Sequence, residues 1–438
     1  MNKIIKIIPL VFMFSVSPNV DAIANTNVEI SIFTNTTSKL KLQDWSKEYA
    51  KVSTKSNLAV DIVKDYGAMP DGKSNSSKAL QKAIDDVSNK GGGVVFIPKG
   101  EYRFLNIIMR SNVKLYIDHR ATISPYYNTK EKLSLFNFGD TGENIENVEV
   151  CGVGGRFNIV LEKQKSNKQR VFVFRGVKNF KVSNVHIEDV KVQLPIMSFG
   201  PTESGELVGP TNGEISYASV NNCHYGYGLV QMQCAFNTKF HKLSGVGGVT
   251  LRAETGAAAM NDAQRGGVFG VTGEYIHCKN GNAVVMVSPH SMINGDVSFD
   301  HINSDGCGWA VRLDKGFISS KQTTKGLKVG TYTKATVDNV KAIAGKNAQV
   351  KTKHFGFYKE GIAKQCPAYD ENLISEPTFS VGAVLNEANF PVEIGKVEVD
   401  GFDKAILTPK DELTTEYKKL KKQVRPTPKD AKLAKVKK

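Results

Sequence analysis

Between residues 223 and 316 stand Gln231, Gln233, Arg252, Glu254, His290 and Arg312, side chains able to work on one substrate together. A carboxyl group passes a proton to a leaving oxygen or draws one from water, and an imidazole does either near neutral pH. A guanidinium grips an oxyanion through two parallel hydrogen bonds, which a flexible amine does not. Gln231 and Glu254 are 23 residues apart, and His290 lies 36 beyond Glu254. Arg252 and Glu254 are two apart, so on a strand they share a face. The run Leu251-Arg252-Ala253-Glu254-Thr255-Gly256 returns as Val311-Arg312-Leu313-Asp314-Lys315-Gly316, both apolar-Arg-x-acid-x-Gly. Singly, each residue has an ordinary role as surface charge, turn closer or stacking amide. Their conjunction in one stretch raises them above that background.

The surrounding chain has the elements to hold such a set. Turn chemistry at Asp65-Tyr66-Gly67-Ala68-Met69-Pro70-Asp71-Gly72 precedes Ser77, an expected N-cap, and a helix over 77–89. Ala79, Leu80, Ala83, Ile84 and Val87 fall on one face of that helix. Gly91-Gly92-Gly93 ends it, and Val94-Val95-Phe96-Ile97-Pro98 opens a strand. Short strands punctuated by Gly and Asn follow, such as Asn112–Ile117, Asn147–Val150, Phe180–Val182, Val297–Phe299 and Val397–Val399. Strand-and-turn units recurring every ~20–30 residues are the mark of a parallel β-helix, whose rungs bury their apolar faces only by stacking. The fold class is therefore all-β, a right-handed parallel β-helix capped by the helix over 77–89. A β-sandwich competes, but its Asn-Gly turns are not regularly placed here.

Of 438 residues, 40% are hydrophobic and 23% charged, with 39 Gly and only 2 Trp, which excludes collagen-like, coiled-coil and wholly disordered classes. Lys3 and Lys6, an apolar stretch over 7–16 and small residues near Ala22 and Ala24 read as a signal peptide over residues 1–24. Past it no apolar run approaches the ~20 residues of a membrane span. A lead segment covers 25–59 and the parallel β-helix catalytic domain 60–408, with an insertion over about 351–377. A basic tail covers 409–438, and its stretch from Lys410 carries eleven Lys and Arg against four acids, within a formal net charge of +15. Export argues against nucleic acid as partner and for a polyanionic glycan. The six cysteines contain no C-x-x-C pair, and no two histidines have metal-ligand spacing. A monomer is expected. A solenoid wall offers a long trough suited to a polymer, and glycoside hydrolysis there needs two proton-transferring groups.

Two resemblances follow from these motifs. The opening Asp65–Gly72 turn, its helix and Gly91–Pro98 resemble the start of pectin-lyase-like β-helices. The stretches 228–233 and 248–255, then His290, then 308–316, resemble the ι-carrageenases, glycoside hydrolase family 82, over about 60–400. The second resemblance implies a secreted, inverting endo-hydrolase of β-1,4 linkages in ι-carrageenan, a sulfated red-algal galactan. It implies Glu254 as general acid and His290 and Gln231 as its catalytic companions. Arg252 and Arg312 would hold sulfate groups, with Gln233 beside them on the substrate. No cofactor is required, and a structural calcium is left open.

The family pattern carries an Asp base two residues after the acid, where this chain has Gly256. Three accounts stand side by side. Asp314 or Asp262 replaces the base; His290 and Gln231 activate the water; or the protein binds sulfated glycan without cleaving it. A lyase using Arg or Lys as base on an acidic glycan is a further alternative.

Overall fold

The computed structural model describes residues 58–127, 133–139, 143–202, 207–359, 361–365 and 374–412. The expected signal peptide, the lead segment up to 57, Cys366 and the tail from 413 lie outside them.

Ten parallel strands stack in chain order into one wall: β1 (Ile107–Ile108), β2 (Leu133–Phe138), β3 (Gln169–Phe174), β4 (Met197–Phe199), β5 (Val230–Met232), β6 (Val249–Glu254), β7 (Ala283–Ser288), β8 (Trp309–Leu313), β9 (Gly382–Asn386) and β10 (Ile406–Leu407). Each neighbour is the next strand of this wall met along the chain, as in a parallel β-helix. An eighteen-stranded sheet forms the rest of the coil. Side chains alternate across the wall. Val230, Met232, Leu251, Ala253, Val285, Val287, Val311 and Leu313 point into the shared core. Gln231, Arg252, Met286 and Arg312, which alternate with them, point outward. Burying each large apolar side chain contributes about 1.5–3 kcal/mol, so this alternation fixes which residues are left to line the outer face.

Two ladders explain why Asn and Phe recur. Asn112, Asn147, Asn179, Asn212 and Asn237 all turn the chain at φ between 46° and 61°. Asn tolerates that left-handed conformation better than most residues. Each amide bonds the one a rung earlier, at 2.9, 3.1, 3.3 and 2.8 Å along the series. Inside the coil, Phe136 stacks on Phe172 at 5.4 Å and Phe174 on Phe199 at 4.4 Å.

The helix α1 (Ser77–Asn89) closes the N-terminal end with Leu80, Ala83, Ile84 and Val87 buried. Its cap differs from expectation: Ser76 precedes the helix and Ser77 is its first residue. The Ser77 hydroxyl instead accepts the Leu105 amide at 2.8 Å, tying α1 to the first rungs.

The insertion is a hairpin that leaves the coil. Ala348–Lys351 pairs antiparallel with Ile374–Thr378, and a tight 3₁₀ turn runs over Thr352–Phe357. The Gln349 carboxamide, 6% exposed, accepts the Gly248 amide at 2.6 Å and donates to the Cys223 carbonyl at 3.2 Å. Phe357 then packs on Met286, Trp309 and Leu385, roofing the outer face of β7–β9. Val249 of β6 lies under the same roof, while Gln231 of β5 and Arg252 and Glu254 of β6 line a cavity. Cys151, Cys223, Cys234, Cys278 and Cys307 are unpaired. Among the described residues no helix is long and apolar enough to cross a membrane.

Candidate active site

Glu254 ends β6 on the outward face, two residues after Arg252 and beside β5. The register pairs Gln231 with Arg252 rather than with Glu254. Gln231 still reaches Glu254, donating from Nε2 to Oε2 at 2.8 Å. Arg252 Nη1 donates to the same oxygen at 3.1 Å, and His290 Nε2 lies 3.4 Å from Oε1. The carboxylate is thus held from three sides by residues 23, 2 and 36 positions away in the chain. Gln233 accepts the Ala257 amide at 2.7 Å and so braces the turn that leaves β6.

His290 is positioned by backbone as much as by side chain. It follows Pro289 at the end of β7 with φ +47°, a conformation that costs energy for a residue other than glycine. Its carbonyl accepts the amides of Phe317 at 2.8 Å and Gly330 at 2.7 Å. Thr255 Oγ1 donates to the Pro289 carbonyl at 2.7 Å. The imidazole lies 4.3 Å from the Phe317 ring, centroid to centroid. On its other side is Gly256. A Cβ there would stand 2.7 Å from His290 Cε1 and 2.8 Å from Nε2. The imidazole occupies the space that a side chain at 256 would need.

These groups open onto a cavity of about 690 Å³. Glu254 is the one carboxylate among its lining residues, which include Lys168, His224, Tyr227, Gln231, Gln233, Arg252, His290 and Lys351. Burial pushes the Glu254 carboxyl upward, but Arg252, His290 and Lys351 outweigh it and hold the group ionised, well below the usual carboxylate range. Among the described residues no group of three or more His, Cys, Asp or Glu gathers as a metal site.

The remaining expected residues lie apart. Arg312 does not line the cavity, and it is 1% exposed. Its Nη2 bonds Asp314 at 2.7 Å and its Nη1 bonds Asn282 at 3.0 Å. This corrects its expected place on the sulfate: the hairpin roof over β8 has taken it out of the trough. Asp314 shares that roof. Asp262, on α2 (Ala258–Ala263), accepts the amides of Thr323 and Thr324 at 3.0 and 2.9 Å and stitches a loop to the turn. Sequence reasoning missed two contributors. Asn261 holds the Thr255 and Ala257 carbonyls at 2.7 Å each and accepts the Ser291 amide at 3.1 Å, fixing the turn beside His290. Lys351 arrives on the hairpin, outside the rung period, so spacing held no sign of it.

A parallel coil with a polar trough on one wall defines a β-helix protein of the pectate-lyase-like class. The family model described as rhamnogalacturonase A/epimerase, pectate lyase-like, matches residues 61–189. The iota-carrageenase of Alteromonas macleodii is 37% identical over 268 residues, 60% of this chain and 54% of that protein. The iota-carrageenase of Zobellia galactanivorans is 39% identical over 261 residues, 59% of this chain and 53% of its own. The chain therefore spans about half the length of the curated relatives it matches. A solved structure titled 1,3-α-1,4-β-D-galactose-4-sulfate-3,6-anhydro-D-galactose-2-sulfate 4 galactohydrolase superposes with a TM-score of 0.75 at 30% identity, covering 82% of this chain and 91% of that one. The chain belongs to the ι-carrageenase family, glycoside hydrolase family 82.

Proposed function

We propose that this protein is a secreted, endo-acting hydrolase of the β-1,4 linkages of ι-carrageenan that works with inversion. The observation that carries the reading is Glu254, the one carboxylate that lines the cavity among the described residues, gripped by Gln231, Arg252 and His290. Family membership supports the substrate, since the relatives are iota-carrageenases.

Glu254 is the general acid. The site keeps it ionised, because Arg252, His290 and Lys351 favour the anion. Sulfate esters entering the trough draw those cations to themselves and add negative charge, and both effects raise the proton affinity of a neighbouring carboxylate. Glu254 then takes up a proton and delivers it to the glycosidic oxygen. Water attacks from the opposite face and must lose a proton. His290 Nε2 stands 3.4 Å from Glu254 Oε1, closer than the ~6.5–9.5 Å that an inverting acid and base keep, so it serves as acceptor only once its ring has left the protonated carboxyl and turned to the water from its place beside Gly256. Asp314 is a poorer candidate. The register Glu254–Ser288 and Val287–Leu313 sets it two strands away, ~10 Å by strand spacing, but paired with Arg312.

The test is digestion of ι-carrageenan by the mature protein, following reducing ends, ultraviolet absorbance and the anomer first formed. Hydrolysis with inversion gives reducing ends, no absorbance and the α-anomer. Rising absorbance makes the protein a lyase, and binding without new ends makes it a glycan-binding β-helix.

A further inference from the structure

We propose that Lys351, brought into the cavity by the insertion hairpin, binds a sulfate ester of the substrate. This deepens the carrageenase reading and rests on it.

The placement is built rather than incidental. Lys351 pairs with Ile374 at the end of the hairpin's first strand. Two residues earlier, on the same strand face, Gln349 is pinned to Gly248 and Cys223. The pin turns that face toward β6 and the trough. Lys351 lines the cavity together with Arg252 and Glu254. It makes no ion pair within 4 Å with any described residue. The acid that acts on it, Glu254, is already engaged by Gln231, Arg252 and His290. A half-buried amine among cations, with that carboxylate taken, is matched by an anion from outside. Sulfate esters are the anions of ι-carrageenan, and they stay charged across the working pH range.

The surroundings make this contact depend on pH. Burial, then Arg312 and Arg252, bring the Lys351 ammonium down to about 7, with Glu254 opposing and Lys353 adding to the fall. His354, on the same hairpin, is pushed low by burial and by Arg312, Lys353 and Lys351. Across the cavity stand His290, His224 and Lys168. Below about pH 7 the free protein carries Lys351 charged and binds at full strength. Above it, binding must first protonate the amine, so affinity falls by up to tenfold per pH unit.

The experiment measures KM and kcat of the full-length protein on ι-carrageenan from roughly pH 6 to roughly pH 9, for the native chain, Lys351→Met and Lys351→Arg. The native KM is level at the acid end and climbs above neutrality. Lys351→Arg, which stays charged, keeps the low KM and loses the climb. Lys351→Met raises KM about tenfold or more at acid pH and also loses the climb, with kcat within about threefold. The Met penalty vanishes on chemically desulfated polymer. A Lys351→Met protein that keeps the native climb overturns the proposal. So does one that loses kcat with KM unchanged. Because histidines share the cavity, the Arg variant isolates the lysine. Retention on an ι-carrageenan gel, run alongside, separates the two possible failures. Retention that depends on pH and Lys351, without hydrolysis, sinks the hydrolase reading alone. Hydrolysis with a KM indifferent to Lys351 sinks the clamp alone.

Discussion

Leu251–Gly256 and Val311–Gly316 carry one pattern on one wall, two strands apart, yet they do different work. The register aligns Arg252 with Met286 and Met286 with Arg312, so the two arginines share an outward column. Arg252 and Glu254 keep 7% and 19% of their side chains exposed, in the open cavity. Arg312 and Asp314 keep 1% and 11%, beneath the hairpin roof. Trp309 Nε1 donates to His354 Nδ1 at 3.3 Å there, and the Phe357 ring meets Trp309 nearly perpendicular, 5.7 Å between centroids. Under the roof Arg312 Nε, Asp314 Oδ1 and His354 Nε2 have no hydrogen-bond partner among the described residues. An acid beside an arginine is a reactive pair where solvent and substrate reach it. Where they do not, it is an internal brace. Coverage by a distant segment decides between these fates.

The largest expected effects separate the pairs outright. Glu254→Gln lowers reducing-end release about 10²–10⁴-fold, the range for losing a proton-transferring group, with an unchanged denaturation midpoint. Arg252, although only 7% exposed, lines the cavity with His290 and Lys351, and the glutamine keeps a side-chain oxygen for it to donate to. Asp314→Asn strands Arg312 where water does not reach, and breaking such a buried pair costs about 3–5 kcal/mol. Urea denaturation measures that loss, while activity per folded molecule holds. A stable Asp314→Asn protein with no activity would reverse the comparison and make Asp314 the missing base.

Much of this was legible in the residues, for physical reasons. Period-two alternation within strands fixes the outward face, so Arg252 and Glu254 had to share it. The stacking of rungs then makes Gln231, Glu254 and His290 neighbours despite their separation along the chain. Their exact register was not readable, because rungs differ in loop length: Gln231 aligns with Arg252, 21 residues on. Helix α1 was readable from its apolar face, but its cap was not, since Ser76 and Ser77 offer the same hydroxyl. The burial of Arg312 had no local sign, because its roof is formed by Trp309, His354 and Phe357, the last two on a hairpin whose first strand begins at Ala348. Lys351 was hidden for the same reason. Antiparallel pairing of the insertion breaks the rung period from which the site was inferred.

The smallest test uses the glycine that ends each copy. A Cβ on Gly256 would meet the His290 ring, whereas a Cβ on Gly316 would fall on the Gly330 backbone. The imidazole has little room to yield, since Phe317 stands on its far side. Gly256→Ala therefore shifts the ring by a fraction of an ångström and lowers kcat roughly tenfold, about 1.4 kcal/mol of barrier, leaving the denaturation midpoint nearly unmoved. Gly316→Ala presses on main chain that is bonded to the His290 and Met292 carbonyls through Gly330 and Thr331. Overpacking of that kind costs about 1–3 kcal/mol of stability. Its effect on kcat is the sharper measure. If the strain stays in the loop, kcat is retained and only the midpoint falls. If kcat falls as far as in Gly256→Ala, the second copy also steers His290, through the carbonyl bonds that Phe317 and Gly330 make to it, and the division between working pair and brace is incomplete.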